Sequence, residues 1–434
     1  MKRALLTVTT AVVAVCLAIT LILYFDPFGG FFDRLFSGGQ DDGSGFGAQF
    51  TVYYEDNAET LPDEAMTLLK SYFSDFYGIL GGAVKSTTLS SLYGYNSADY
   101  RFDDLAIYAA RAYRKAVGTD LSFSECHVKL KILSSASTDT GYLAVRLSQS
   151  VKIFYDFLPD GLSSEGGIIT HDFMLKMSRG RWQIYSHEAD GGLWTYSKSL
   201  IQRLSLPDGY YADQLTAKKL EAYYNEACEL AEKQAQANAA ALNADTGALA
   251  GDAKSFYNRE AAVEYAVQWT AGDRRVRNLN QYDSYDNDSA NFVSQCLAAG
   301  GLGLDLSGSD NKGLWKWYDG EQDYSESAVG CTRSWYECDA FYRYCGGNIS
   351  GGIAAVPDVC LALLEEGDVV QFMETNPATG ELTAVFEGIM TGVINNETGA
   401  KDLLITAHSP ELLNVPLSAI PCDGLRFIKI VGGA

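Results

Sequence analysis

The sequence predicts an α+β fold in which helices and antiparallel strands are segregated along the chain. Three observations carry that prediction. Two segments with helical spacing come first within residues 50–205, and long alternating runs follow them. The same order, helices and then short strands, recurs within residues 256–434. The chain has 434 residues, 47% of them hydrophobic and 20% charged, enough for two or three domains with real cores.

The N-terminus sets the compartment. Lys2 and Arg3 precede an apolar run from Ala4 to Tyr24. About 20 apolar residues cross a bilayer as a helix. Positive charge stays cytoplasmic, so this run predicts an uncleaved transmembrane anchor with the bulk of the chain outside the cell. No small-residue cleavage site follows it. Residues 25–49 are rich in Gly, Ser and Asp and read as a flexible stalk. The formal net charge of −22 argues against a nucleic-acid partner.

Residues 50–205 read as one α+β domain. Helical spacing covers 64–80 and 102–118, and strand alternation covers 127–134 and 141–157. The stretch 167–190 reads as two strands turning at Ser178-Arg179-Gly180. The pattern resembles an NTF2-like or cystatin-like module, a likeness of shape rather than of motif. Its histidines, His127, His171 and His187, are scattered and read as strand or surface residues. Residues 211–240 are strong helix formers and predict a spacer helix, which loosens into a linker near Ser255.

In the last segment, 258–270 is an amphipathic helix with Ala262, Tyr265, Ala266 and Trp269 on one face. NDSANFVSQCLAAGG (287–301) reads as a capped apolar helix with a glycine stop, Asp288 taking the cap. Strands are predicted over 367–373, 386–394, 402–409 and 425–431. Nine cysteines are present and no CxxC pair, so zinc is unsupported. Cys331, Cys338 and Cys345 recur every seven residues; whether the cysteines pair or stay free is left open. The acidic stretch DSYDND (283–288) lacks the glycine and spacing of a calcium loop, so no metal or cofactor is expected. Trp315, Trp317 and Trp335 read as core and rim packing rather than as a sugar-stacking surface.

NREAAVEYAVQW, NDSANFVSQCLAAGG, GDVVQF, FEGIMTGV and ITAHS together resemble an amidase-domain family. That family belongs to the papain-like group, with the NlpC-type and CHAP peptidoglycan hydrolases. The resemblance runs from about Tyr257 to the C-terminus and implies a papain-like α+β, amidase-type domain. It also implies a thiolate at a helix start, a histidine on the next long strand and a third polar residue to orient it. The family pattern D-C-T-N-F-V-S-Q stands here as Asp288 to Gln295, which puts Ser289 at the nucleophile position. H-x-x-I-V-T-G stands as Phe386 to Gly392, which puts Phe386 at the base position, or Glu387 if the register slips by one. His408 stands at the orienting position. Cys296, two turns into the helix, reads as a buried thiol.

Two of three catalytic positions are therefore altered. A general base contributes roughly 10²–10⁴-fold, and loss of a triad nucleophile costs on the order of 10⁶ in turnover. The expectation is a degenerate amidase domain that binds a peptide or peptidoglycan fragment without cutting it. The alternatives are a live amidase using Ser289 with His408 or Glu387 as base, and a scaffold in a membrane complex.

Overall fold

A computed structural model describes residues 46–434, apart from 57, 85–87, 95–96, 98, 205–223, 243–255, 306–313, 318–330, 348–350, 377–378 and 434. The Ala4–Tyr24 run and the stalk up to residue 45 lie outside the described residues. Among the described residues no helix is long and apolar enough to cross a membrane.

Residues 46–434 form one compact unit. Its elements, in chain order, are β1 (Gly47–Tyr54), α1 (Asp63–Leu80), α2 (Tyr100–Ala116), β2 (Phe123–Ser137), β3 (Tyr142–Tyr155), β4 (Ser164–Ser178), β5 (Arg181–Asp190), α3 (Gly192–Gln202) and α4 (Tyr224–Leu242). The C-terminal half continues with α5 (Arg259–Gln268), α6 (Ser289–Ala299), α7 (Arg333–Tyr336), α8 (Cys338–Gly347), β6 (Ile353–Pro357), β7 (Val369–Thr375), β8 (Leu382–Asn395), β9 (Lys401–Ala407), β10 (Leu412–Pro416) and β11 (Gly424–Gly433). The class is mixed α+β, as predicted. Strand β1 begins at Gly47, inside the stretch read as stalk.

A single sheet of eleven strands runs through both halves, in the order β1-β2-β3-β4-β10-β9-β8-β7-β11-β6, with β5 also on β4. Only β1–β2 is parallel; the other pairings are antiparallel. The β4–β5 turn uses Arg179 and Gly180 at φ of 51° and 79°, the left-handed pair that a two-residue hairpin favours. Strand β4 is shared: β5 pairs with its second half, and β10 pairs with its start through Leu412↔Gly166 and Leu413↔Glu165.

This short ladder is reinforced. The Ser164 hydroxyl donates to the Asn414 carbonyl at 2.6 Å, and Gly167 N–H donates to the Glu411 carbonyl at 2.8 Å. Gly272 presses so closely on Glu165 that a Cβ there would lie 2.3 Å from the Glu165 Cβ. The predicted spacer helix packs as well. Ala227, Ala231 and Ala235 of α4 form a small-residue stripe buried with Leu105, Ala109 and Tyr113 of α2. Asn238 then donates to the Cys422 carbonyl at 3.1 Å, tying α4 to the C-terminal half.

The C-terminal sheet buries both faces. One side carries Val369, Ile389, Ile428 and Ile430 against Phe292, Cys296 and Leu297 of α6 and against Trp315 and Trp335. The other carries Val370, Phe372, Met390, Leu403 and Ile405 against Leu417 and Cys422. Trp315 and Trp335 are fully buried, so they are core residues. Cys126, Cys228, Cys296, Cys331, Cys338, Cys345 and Cys422 form no disulfide.

Candidate functional site

The site is built around the start of α6. Ala, Phe, Val, Gln and Leu favour this helix through burial, and every residue from Ser289 to Leu297 is buried. Two glycines end it for different reasons. Gly301 takes φ +87°, and Leu302 N–H closes back on the Leu297 carbonyl, a left-handed helix stop. At Gly300 a Cβ would lie 2.3 Å from the Tyr257 ring.

The polar residues of NFVSQ are all consumed by packing. Asn291 donates to the Asp283 carbonyl at 2.9 Å and accepts the Trp335 indole N–H at 2.7 Å. The Ser294 hydroxyl donates to the Trp335 carbonyl and accepts the Trp315 indole N–H. Gln295 accepts the Tyr265 hydroxyl at 2.8 Å. GDVVQF behaves likewise. Gly367 adopts φ +82° and Asp368 gathers Arg259 at 2.8 Å, Lys429 at 3.2 Å and two backbone N–H groups.

Asp288 stands at the N-cap position, but its carboxylate makes no capping bond. It accepts instead from Arg277 Nε at 2.6 Å, His408 Nδ1 at 3.0 Å, Asn291 Nδ2 at 2.8 Å and Tyr285 N–H at 3.0 Å. His408 Nε2 donates to the Trp269 carbonyl at 2.8 Å, and the ring lies flat on Phe292 with centroids 3.7 Å apart. Arg277 continues to Glu411 at 2.6 Å. Both nitrogens of His408 therefore face acceptors, and neither is left to take a proton from Ser289.

Ser289 is the first residue of α6 and is fully buried. Its hydroxyl donates to Asn287 Oδ1 at 3.2 Å and lies 3.6 Å from Cys338 Sγ, at the start of α8. Phe386 lies elsewhere. It points into the opposite apolar cluster and stacks on Phe372 at 4.3 Å. The side chain that β8 turns toward α6 is Glu387, one residue on, paired in register with Gln371. Phe386, read as the base position, thus faces away from α6 and Glu387 faces it, because side chains alternate faces along a strand.

Gln371 Nε2 donates to Glu387 Oε2 and to the Cys338 carbonyl, each at 2.6 Å. Gln371 Oε1 and Glu387 Oε1, both buried, have no hydrogen-bond partner. Burial pushes the Glu387 carboxyl up to about 8, so it is mostly protonated at neutral pH. Burial, and then the neighbouring Glu387 charge, push the Cys338 thiol well above its ordinary value. Burial does the same to Cys296, which sits in the core as predicted. Among the described residues no His/Cys/Asp/Glu group has the arrangement of a metal site.

Sequence reasoning missed Cys338, Gln371 and Arg277. Gln371 carried a signal: alternation from Val369 places it on the helix side of β7. Away from Ser289, a groove of about 290 Å³ opens near the seam between the halves, with Tyr53, His127, Lys129, Lys152, Glu165 and Asp273 among its walls.

Residues 256–431 match the family described as "Putative amidase domain". The C-terminal half is similar to that family over this span. No curated protein and no solved structure matches the chain.

Proposed function

We propose that the amidase-like half is a non-hydrolytic module of an extracytoplasmic protein held to the membrane by Ala4–Tyr24, and that it holds a peptide or peptidoglycan fragment without cutting it. One observation carries the reading: among the described residues, no group beside the Ser289 hydroxyl is fit to take its proton. The chain has four histidines. His408 is committed to Asp288 and Trp269. His127, His171 and His187 sit on β2, β4 and β5 of the other half. Glu387, the carboxyl on the facing strand, holds its own proton at neutral pH. A serine without a base is a poor nucleophile. The papain-like kinship and the NTF2-like likeness of the first half belong to the same reading, as does the anchored topology. Lys129, Lys152, Glu165 and Asp273 on the seam groove offer both signs of charge to a peptide.

A second reading rests on the thiol of Cys338, 3.6 Å from Ser289 Oγ. A cysteine displaced to this position would attack in place of the one absent at 289. The deciding experiment incubates the full chain, Ser289→Ala and Cys338→Ala with peptidoglycan fragments and measures both binding and amide cleavage. Binding without cleavage in all three supports the proposal. Cleavage lost only in Ser289→Ala or only in Cys338→Ala overturns it and names the nucleophile. Absence of binding removes the ligand from the proposal and leaves a structural module.

A further inference from the structure

The first half of the molecule contains a second buried histidine centre. Strands β4 and β5 pair so that Phe173 faces His187 and His171 faces Ala189, which sets the two imidazoles side by side. His171 Nδ1 and His187 Nε2 are 2.9 Å apart. His187 Nδ1 lies 2.8 Å from Asp103 Oδ1 of α2. Asp103 also accepts the Trp194 indole N–H at 2.8 Å and the Tyr93 hydroxyl. The Tyr72 hydroxyl of α1 lies 3.2 Å from His187 Nδ1. At the far end His171 Nε2 is buried with no partner. Its ring is packed against Phe73 at 5.1 Å and Trp194 at 5.0 Å.

The partners fix the protons. A carboxylate only accepts, so His187 donates through Nδ1. Its Nε2 then accepts, and His171 donates through Nδ1. That leaves His171 Nε2 as a bare lone pair among aromatic rings. One added proton cannot be satisfied. Placed on His171 it creates a buried N–H with no acceptor. Passed to His187 it reverses the bond between the rings, and His171 Nε2 again carries the orphaned N–H. A buried unpaired donor is costly, and a second proton would set two N–H groups against each other across 2.9 Å.

We propose that the Asp103–His187–His171 chain is an acid-sensitive latch, closed while both imidazoles are neutral, that fastens α1, α2 and α3 to the β4–β5 hairpin and releases them on acidification. The titratable groups around it are few. Tyr72 faces it from α1, with Tyr77 one turn on. Tyr93 faces it from the segment before α2. Asp103 faces it from α2, while Asp104 turns away to Thr88 and the Leu89 N–H. Asp99 and Glu188 lie nearby on the outer side. Helix α3 contributes the uncharged Trp194, and β3 sets Leu147 opposite His171.

Burial, and then His187, hold the His171 imidazole well below its ordinary value. The unfolded chain therefore binds a proton that the folded chain refuses. Stability from this group is complete above the unfolded value near 6.5 and is lost as pH falls below it. One such group lowers the folding constant by roughly 30-fold on going from pH 7.5 to 5.

The test is urea unfolding of the full chain at pH 7.5 and pH 5, natural and the double variant His171→Phe with His187→Phe. His171→Phe alone would leave His187 Nε2 without its donor, so both imidazoles are replaced by rings that keep the aromatic packing. The expected result is an acid loss about 30-fold smaller in the variant; an equal loss in both overturns the proposal. If the double variant does not fold, nitrogen-15 spectra of the natural chain decide. His171 Nε2 remains unprotonated down to pH 5 if the latch exists, and an ordinary titration near 6.5 in the folded protein overturns it. Hydrogen exchange at pH 5, corrected for intrinsic rates, then separates local release from global opening. Faster exchange in β4–β5 than in β7–β9 is expected, and uniform acceleration overturns the latch.

Discussion

The two buried histidine centres differ in one respect that decides their behaviour. Each pairs an imidazole with a buried carboxylate, His408 with Asp288 at 3.0 Å and His187 with Asp103 at 2.8 Å. The His408 centre is closed at both ends. Arg277 braces its carboxylate, and the Trp269 carbonyl takes the far nitrogen. The His187 centre passes to a second imidazole and stops at a nitrogen that meets nothing. A histidine with an acceptor at each nitrogen is held in place at both ends. One whose chain ends on a lone pair in an apolar pocket responds to pH.

The largest expected effect comes from breaking the His408 centre. Asp288→Ala leaves Arg277 and His408 buried without their shared carboxylate and should cost about 3–5 kcal/mol. Urea unfolding at pH 7.5 measures it, and a cost near zero would mean that the network is dispensable. The open chain should be softer. Asp103→Asn keeps an acceptor for His187 but turns an amide N–H₂ toward other donors, so about 1–3 kcal/mol is expected by the same measurement.

Two further changes sharpen the contrast at the α6 site. Glu387 has its folded value raised by burial to about 8. Its stabilisation is therefore complete below the unfolded value near 4.3 and is lost as pH rises through about 8. Glu387→Gln should remove that loss, raising stability at pH 8 with no gain at pH 4. Denaturation midpoints across this range show the alkaline limb flatten in the variant, whereas replacing both His171 and His187 by Phe flattens the acid limb. Ser289→Ala should be the mildest change. It loses one hydroxyl donor to Asn287, about 0.5–1 kcal/mol by thermal melting, and alters no amide hydrolysis.

Much of the local structure was legible. Helix α6, its glycine stop, α1, α2 and the Ser178-Arg179-Gly180 turn follow from period, capping and turn chemistry, which are properties of neighbouring residues. Four of the six C-terminal strands, β7, β8, β9 and β11, were placed to within a few residues, whereas β6 and β10 were not foreseen. What the sequence could not reveal depends on parity and on distance. Whether Phe386 or Glu387 faces α6 turns on a single residue of register, and a register shift between Phe372 and Met373 intervenes in the β7–β8 ladder. His171, His187 and Asp103 look scattered because they come from two strands and a helix far apart in the chain. Of the three histidines read as strand or surface residues, only His127 is partly exposed, beside Glu125. The conversion of NFVSQ from a signature into packing chemistry also needed Trp315, Trp335 and Tyr265, which no local pattern links to it.

The seam between β4 and β10 has a practical consequence. The segment that matches the family begins at 256, but the folding unit begins at 46. Cutting the chain in the 243–255 stretch to produce the matched half alone would strip β10 of its neighbour at Gly166 and Glu165. It would also uncover Cys422 beneath α4. A bare strand edge beside apolar surface is a template for intermolecular pairing. A fragment trimmed to the family boundary should therefore come out as inclusion bodies, while a chain that keeps residues 46–434 together should stay in solution.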